Sequence, residues 1–116
     1  MMTAANQNVF LPAGDSLDIV LAVKTAAGVD VPLAGATVRW WMGRGRASFG
    51  EDVLIKKSIG LGIAVTGATA TVSLAPADTD AIPAGVYYHE AEIVFADGTV
   101  STVTTGNITI GATIVR

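Results

Sequence analysis

The sequence predicts an all-β protein: an antiparallel β-sandwich of about seven or eight short strands, led by an extended N-terminal arm. Three observations carry this. Apolar residues recur with a period of two along one segment after another, the mark of half-buried strands. Turn residues interrupt the chain roughly every 8–12 residues, the spacing of sandwich folds. No segment sustains the 3.6-residue period of a helix.

Residues 1–14 show no period. They hold Asn6, Gln7, Asn8, Pro12 and Gly14 around an apolar island, Val9, Phe10 and Leu11, and read as an arm. The sandwich is expected to occupy 15–116. Leu17, Ile19, Leu21 and Val23 share one face of the first strand, and Asp18 and Lys24 lie on the other. A turn over Ala27-Gly28-Val29-Asp30 and Pro32 follows. In the next strand, 36–42, Val38, Trp40 and Met42 alternate with Thr37, Arg39 and Trp41. Three glycines break the segment 43–50, which predicts a mobile loop. Short strands are expected over 53–58, 62–66 and 69–74, with Gly67-Ala68 as a tight hairpin link. Residues 76–83 read as a crossover with one helical turn near Asp78.

The longest strand is expected over 86–95, with Tyr87, His89, Ala91, Ile93 and Phe95 inward and Glu90 and Glu92 outward. Asp97-Gly98 predicts a type I′ turn. The chain then returns over 99–105 and 107–114, and Gly106 between them suggests a bulge or kink. Val38, Tyr87, Ile93, Ile108 and Ile110 are the expected core. Tyr87, opening the penultimate strand behind Asp80 and Gly85, matches the tyrosine corner of sandwich folds, whose hydroxyl returns to the backbone upstream. The class is therefore immunoglobulin-like. Antibody domains carry a Cys two residues later; this chain has His89.

The totals bound function. A chain of 116 residues, half of them apolar, forms one domain with its own core. The absence of Cys excludes disulfides and thiol chemistry. A net charge of −3 argues against a nucleic-acid module. No apolar run nears the ~18 residues of a membrane span, and no secretory signal is visible, so no membrane partner is expected. Basic residues cluster in the middle (Arg39, Arg44, Arg46, Lys56, Lys57) and acidic ones later (Asp78, Asp80, Glu90, Glu92, Asp97). They are either ordinary solvated faces or two surfaces that dock copies head to tail.

Candidate chemistry is sparse. A lone histidine, His89, on an apolar strand face reads as a packed residue with a hydrogen-bond partner. Glu90 and Glu92 sit two apart on an exposed strand face, where carboxylates guard against aggregation more often than they catalyse. Asp78, Asp80 and Asp97 lack calcium-loop spacing, and Gly43, Gly45 and Gly50 lack the Lys-Ser/Thr of a phosphate loop. No catalytic, cofactor or metal site is expected. Trp40 and Trp41 must point to opposite faces; one fills the core and the other needs a cover, which a loop, another subunit or a sugar ring can supply.

The order of phrases is similar to a family of tailed-phage virion proteins, the immunoglobulin-like N-terminal domain of phage upper baseplate proteins. The matching pieces run over residues 15–116. They include Asp15-Ser16-Leu17-Asp18-Ile19-Val20-Leu21, Asp30-Val31-Pro32-Leu33-Ala34-Gly35-Ala36-Thr37-Val38-Arg39-Trp40 and Lys56-Lys57-Ser58-Ile59-Gly60-Leu61-Gly62-Ile63. Thr71-Val72-Ser73-Leu74, Pro83-Ala84-Gly85-Val86-Tyr87-Tyr88-His89-Glu90 and Ala96-Asp97-Gly98 continue the match. The resemblance implies a non-enzymatic structural protein of the virion, binding copies of itself or other phage structural proteins. Baseplate members carry a further helical or receptor-linking region, so a chain ending at Arg116 suits a head-decoration, neck or tail-attached module. The expected partner interface is Val9, Phe10, Leu11, Trp41, Arg44, Arg46 and Phe49, with the arm crossing to a neighbour. The alternative is a host-glycan module using Trp41, Tyr88 and the loop arginines.

Overall fold

The computed structural model describes residues 5–45 and 52–114. Nine strands and one helical turn follow in chain order. These are β1 (Ala5–Asn6), β2 (Val9–Pro12), β3 (Leu17–Ala22), β4 (Thr37–Gly43), β5 (Val53–Ile59), β6 (Gly62–Thr66), β7 (Thr69–Leu74), α1 (Pro76–Thr79), β8 (Gly85–Val94) and β9 (Val100–Gly111). The all-β class expected from the period-two pattern is what the chain adopts. The strands form one sheet in the order β1-β9-β8-β4-β5-β6-β7-β3, with β2 also on β9. This sheet folds over itself into a barrel-like sandwich. One layer is built on β9-β8-β4-β5 and the other on β6-β7-β3.

The sheet is mixed. β3–β7, β4–β5, β4–β8, β6–β7 and β8–β9 pair antiparallel. β1 and β2 run parallel to β9, and β5 touches β6 in parallel over two residue pairs. That last contact is the corner between the layers. Gly62, at φ 100°, must stay glycine there: a Cβ would lie 2.4 Å from Cδ of Lys57. The Lys57 stem crosses this gap, and its ammonium donates to Asp78 of α1 at 2.9 Å. Asp78 also accepts the Ala75 N–H at 2.7 Å, so it caps the helical turn as expected.

Inward-facing residues of both layers make the core, including Ile19, Leu21, Val38, Trp40, Met42, Val72, Ile93, Ile108 and Ile110. All five residues expected in the core are buried. The Tyr87 hydroxyl donates to the carbonyl of Pro83, which closes the tyrosine corner.

Three local expectations are corrected. Residues 99–105 and 107–114 are one strand, β9, that passes through Gly106 without breaking and ends at Gly111, leaving Ile114 fully exposed. The register shift falls instead at Val103, between the pairs Ala91–Thr104 and Glu92–Thr102, so Val103 and Thr104 can both be buried. The β8–β9 turn is not type I′, because only Gly98 takes a positive φ. Gly98 N–H bonds Phe95 C=O, Phe95 N–H bonds Thr99 C=O, and the Asp97 carboxylate accepts the Thr99 N–H at 2.8 Å. This is a three-residue loop with glycine in the left-handed position. Asp97 keeps a negative φ because its side chain already satisfies the turn.

The third correction concerns the arm. It lies along its own β9, with Val9 to Pro12 in register with Ile108 to Gly111. Leu11 is 2% exposed and part of the core. Gly14 N–H bonds the buried Thr79 hydroxyl at 2.9 Å. Backbone pairing and the Leu11 pocket together offset the ordering entropy that the apolar island alone could not. Residues 5–6 and 9–12 are therefore edge strands of the sandwich.

Truncating Ile93 to Ala is expected to cost about 2–5 kcal/mol by leaving a core cavity. Chemical denaturation measures it. A loss below ~0.5 kcal/mol would contradict the inward placement of this strand face.

Candidate functional site

Two places concentrate polar and aromatic side chains: the His89 node inside the sandwich and the outer face of β4, β5 and β8. The node forms because β8 and β4 are antiparallel neighbours, which sets His89 opposite Met42, next to Trp40. The Trp40 indole N–H donates to His89 Nδ1 at 2.9 Å, and the rings lie 5.8 Å apart at 52°. Trp40 and His89 are both fully buried. Because Nδ1 accepts, the neutral ring carries its proton on Nε2. That N–H donates to the backbone carbonyl of Gln7, 2.6 Å away.

Gly106 makes this contact possible. It pairs with His89 across β8–β9, and a Cβ on it would sit 2.2 Å from the Gln7 carbonyl oxygen. The missing side chain lets the arm's backbone dip to the core side of the sheet. Around it, Gln7 N–H bonds Thr105 C=O at 2.8 Å, and the Asn8 side chain accepts Asn107 N–H at 3.0 Å. The Gln7 amide then spans the seam between the two ends of the sheet. It accepts from Thr104 Oγ1 at 3.1 Å and donates to the Val20 carbonyl of β3 at 3.3 Å.

Burial holds the His89 pKa below its ordinary value, with the Gln7 carbonyl opposing. Both ring nitrogens are committed to fixed partners, so this histidine is structural. It stands where an antibody-type domain has a disulfide cysteine packed on tryptophan. An imidazole hydrogen-bonded to the indole fills that place here.

The outer face is built by register. Lys56, Trp41, Glu90 and Thr105 stand side by side across β5, β4, β8 and β9. Ser58, Arg39, Glu92 and Thr102 form the adjacent row. Trp41 is 38% exposed, with the Lys56 ammonium 4.4 Å and the Arg39 guanidinium 5.9 Å from its ring. Such cation–π contacts are worth about 0.5–1 kcal/mol at exposed sites. Arg39 pairs with Glu92, and the Tyr88 hydroxyl donates to Glu90 at 2.9 Å. Arg39, Trp41, Glu90 and Glu92 line a shallow depression of about 150 Å³. Further down the same face Phe10, Thr109 and Val86 share a row. Phe10 is 65% exposed, its ring leaning over Gly111.

Of the seven expected interface residues, the structure sets Phe10 and Trp41 on this one open face. Leu11 is removed from the set, because its side chain fills the core. Val9 is partly buried against that core. Arg44 is exposed and 3.8 Å from Asp52. Arg46 and Phe49, and most of the loop expected to be mobile, lie outside the described residues. Lys56, Glu90 and Val86 join the face; strand register brings them beside Trp41 and Phe10, which spacing along the chain cannot show. The head-to-tail charge expectation is also revised. The basic and acidic groups interleave, with Arg39 on Glu92 and Lys57 on Asp78. The glycan set is not assembled either, since Tyr88 is 8% exposed.

A wider recess of about 560 Å³ lies between the arm and α1, with Asp80 as its one titratable lining residue. Among the described residues no group of three or more His, Asp or Glu is placed to hold a metal ion. No helix among them is long and apolar enough to cross a membrane.

No protein-family model matches this chain, and no curated protein matches it.

The His89 node predicts a pH effect with a definite sign. The unfolded state, with a pKa near 6.5, binds the proton more readily than the folded state. The stabilisation is thus fully present above about pH 6.5 and is lost as pH falls through the lower folded value. Melting temperature is expected to drop between pH 7.5 and 5, with amide exchange rising first at Gln7 and Thr105. His89→Gln should flatten that dependence; an unchanged slope would contradict the assignment.

Proposed function

We propose that this chain is a non-enzymatic structural module of a tailed-phage virion and works by protein–protein assembly. The observation that carries the reading is the outer face of β4, β5, β8 and β9. There Trp41, Phe10 and Val86 stand exposed on a sheet whose opposite side is a complete core. Exposed aromatics on a rigid strand surface, ringed by charged residues, are what protein interfaces are made of. The only histidine is locked in two structural hydrogen bonds, and Glu90 and Glu92 are held by Tyr88 and Arg39 on an open surface rather than paired in a cleft. The phage assignment itself rests on the ordered phrases over residues 15–116.

Of the two aromatics in the glycan alternative, Trp41 is exposed and Tyr88 is buried, and sugar sites generally present a ring beside several free polar groups. The assembly reading uses the whole face.

The test is incorporation. Particles purified from cells expressing the gene with its genomic neighbours are expected to contain the chain as a salt-resistant component. The double variant Trp41→Ala, Phe10→Ser should fold with a near-native melting temperature yet be lost from particles. A wild-type chain found entirely outside the particle fraction would overturn the proposal.

A further inference from the structure

The charges on the outer face have a layout of their own. Across the row through Trp41, Lys56 lies one strand to one side and Glu90 one strand to the other. In the next row Arg39 sits on β4 and Glu92 on β8. The patch therefore carries Lys56 on one side of the exposed indole, Glu90 and Glu92 on the other, and Arg39 on the indole's own strand. It is neutral as a whole and polarised across the strands.

A surface of this kind is complementary to itself, but only under one symmetry. When two sheets meet face to face, the two-fold axis lies in the plane between them. An axis running along β4 through Trp41 carries one side of the patch onto the other. Lys56 of each copy then lies over Glu90 of its partner, and the two indoles meet at the centre. Arg39 lies on the axis and faces Arg39 of the other copy, each neutralised by its own Glu92, so this one like-charge contact is offset within each chain. An axis running across the strands would instead set Lys56 against Lys56 and Glu90 against Glu90, which costs rather than gains energy.

From this we infer that the partner of the outer face is a second copy of the same chain, docked about a two-fold axis along β4, with Trp41 beside Trp41 at the centre. This names the occupant of the face on which the assembly reading rests. The contact is isologous and closes as a dimer, unlike the head-to-tail arrangement that the sequence order of charges suggested. Strands ~4.8 Å apart make the four-strand face roughly 19 Å wide, and seven residues make it roughly 23 Å long. That is small for a specific interface, so a dissociation constant on the order of micromolar is expected. Salt should weaken the dimer, since the Lys56–Glu90 pairs sit beside the apolar centre within reach of ions.

Charge reversal with sedimentation velocity on the full chain tests this. Lys56→Glu and Glu90→Lys are each expected to weaken self-association by about ten-fold or more, because each places like charges opposite one another twice. Mixing the two single variants should restore association. The carboxylate introduced at position 56 of one chain then meets the ammonium introduced at position 90 of the other. On the far side of the axis, the Glu90 and Lys56 that each variant retains meet as in the wild type. Circular dichroism melts check that each variant remains folded. A wild-type chain that stays monomeric to about a hundredfold above the micromolar range would overturn the inference. So would single variants that associate as strongly apart as mixed. These results are separable from the virion proposal: a chain that enters particles yet never dimerises keeps the assembly reading and loses the two-fold contact. A chain that dimerises by the mixing criterion yet stays out of particles does the reverse.

Discussion

The contact on which the architecture turns is the hydrogen bond from His89 to the Gln7 carbonyl, made through the gap at Gly106. It joins three levels of the fold. On its core side the imidazole receives the Trp40 indole N–H, so the largest buried ring has its polar atom satisfied. On its outer side it draws the arm's backbone under β9, and from that anchor the Gln7 side chain reaches β3 across the open seam. Without the pull at Gln7, β1 and β2 would be a parallel ladder on β9, held by Leu11, Val9 and the Asn8 and Gly14 hydrogen bonds but not tied to β3. With it, the two ends of the sheet are tied and the sandwich is nearly closed.

The demands on His89 are strict because both partners are donors or acceptors of fixed sign. The indole N–H can only donate and the backbone carbonyl can only accept. Only the neutral imidazole with its proton on Nε2 answers both. Burial enforces the same state from a different direction, by penalising the charged ring. Geometry and electrostatics therefore agree, and agreement of this kind gives a buried polar group a specifying role beside its modest net energy.

The outer face follows a different logic. Its exposed side chains stand outside the buried core, which is assembled on the opposite side of the sheet. Its ion pairs are half exposed and worth little to stability, whereas Lys57–Asp78, largely shielded, pins α1 to the corner between layers. The unequal placement divides labour. Shielded charge fixes the chain to itself, and surface charge arranged about an exposed tryptophan is free to meet another surface.

The sequence alone shows the strand pattern, the inward set Val38, Tyr87, Ile93, Ile108 and Ile110, and the tyrosine corner. Each is local, written in the alternation of side chains or in a few adjacent residues. It also determined that Trp40 and Trp41 must part company, because neighbours on a strand face opposite ways. Tertiary structure alone decided which ring is buried, where the arm goes and what Gly106 is for. Gly106 looks like a kink until Gln7, distant in sequence, is found beneath it. Lys56, Trp41 and Glu90 become one patch only when β5, β4 and β8 lie side by side. Those facts are matters of register between strands far apart in the chain, and pairing of distant strands is the information a local pattern does not hold.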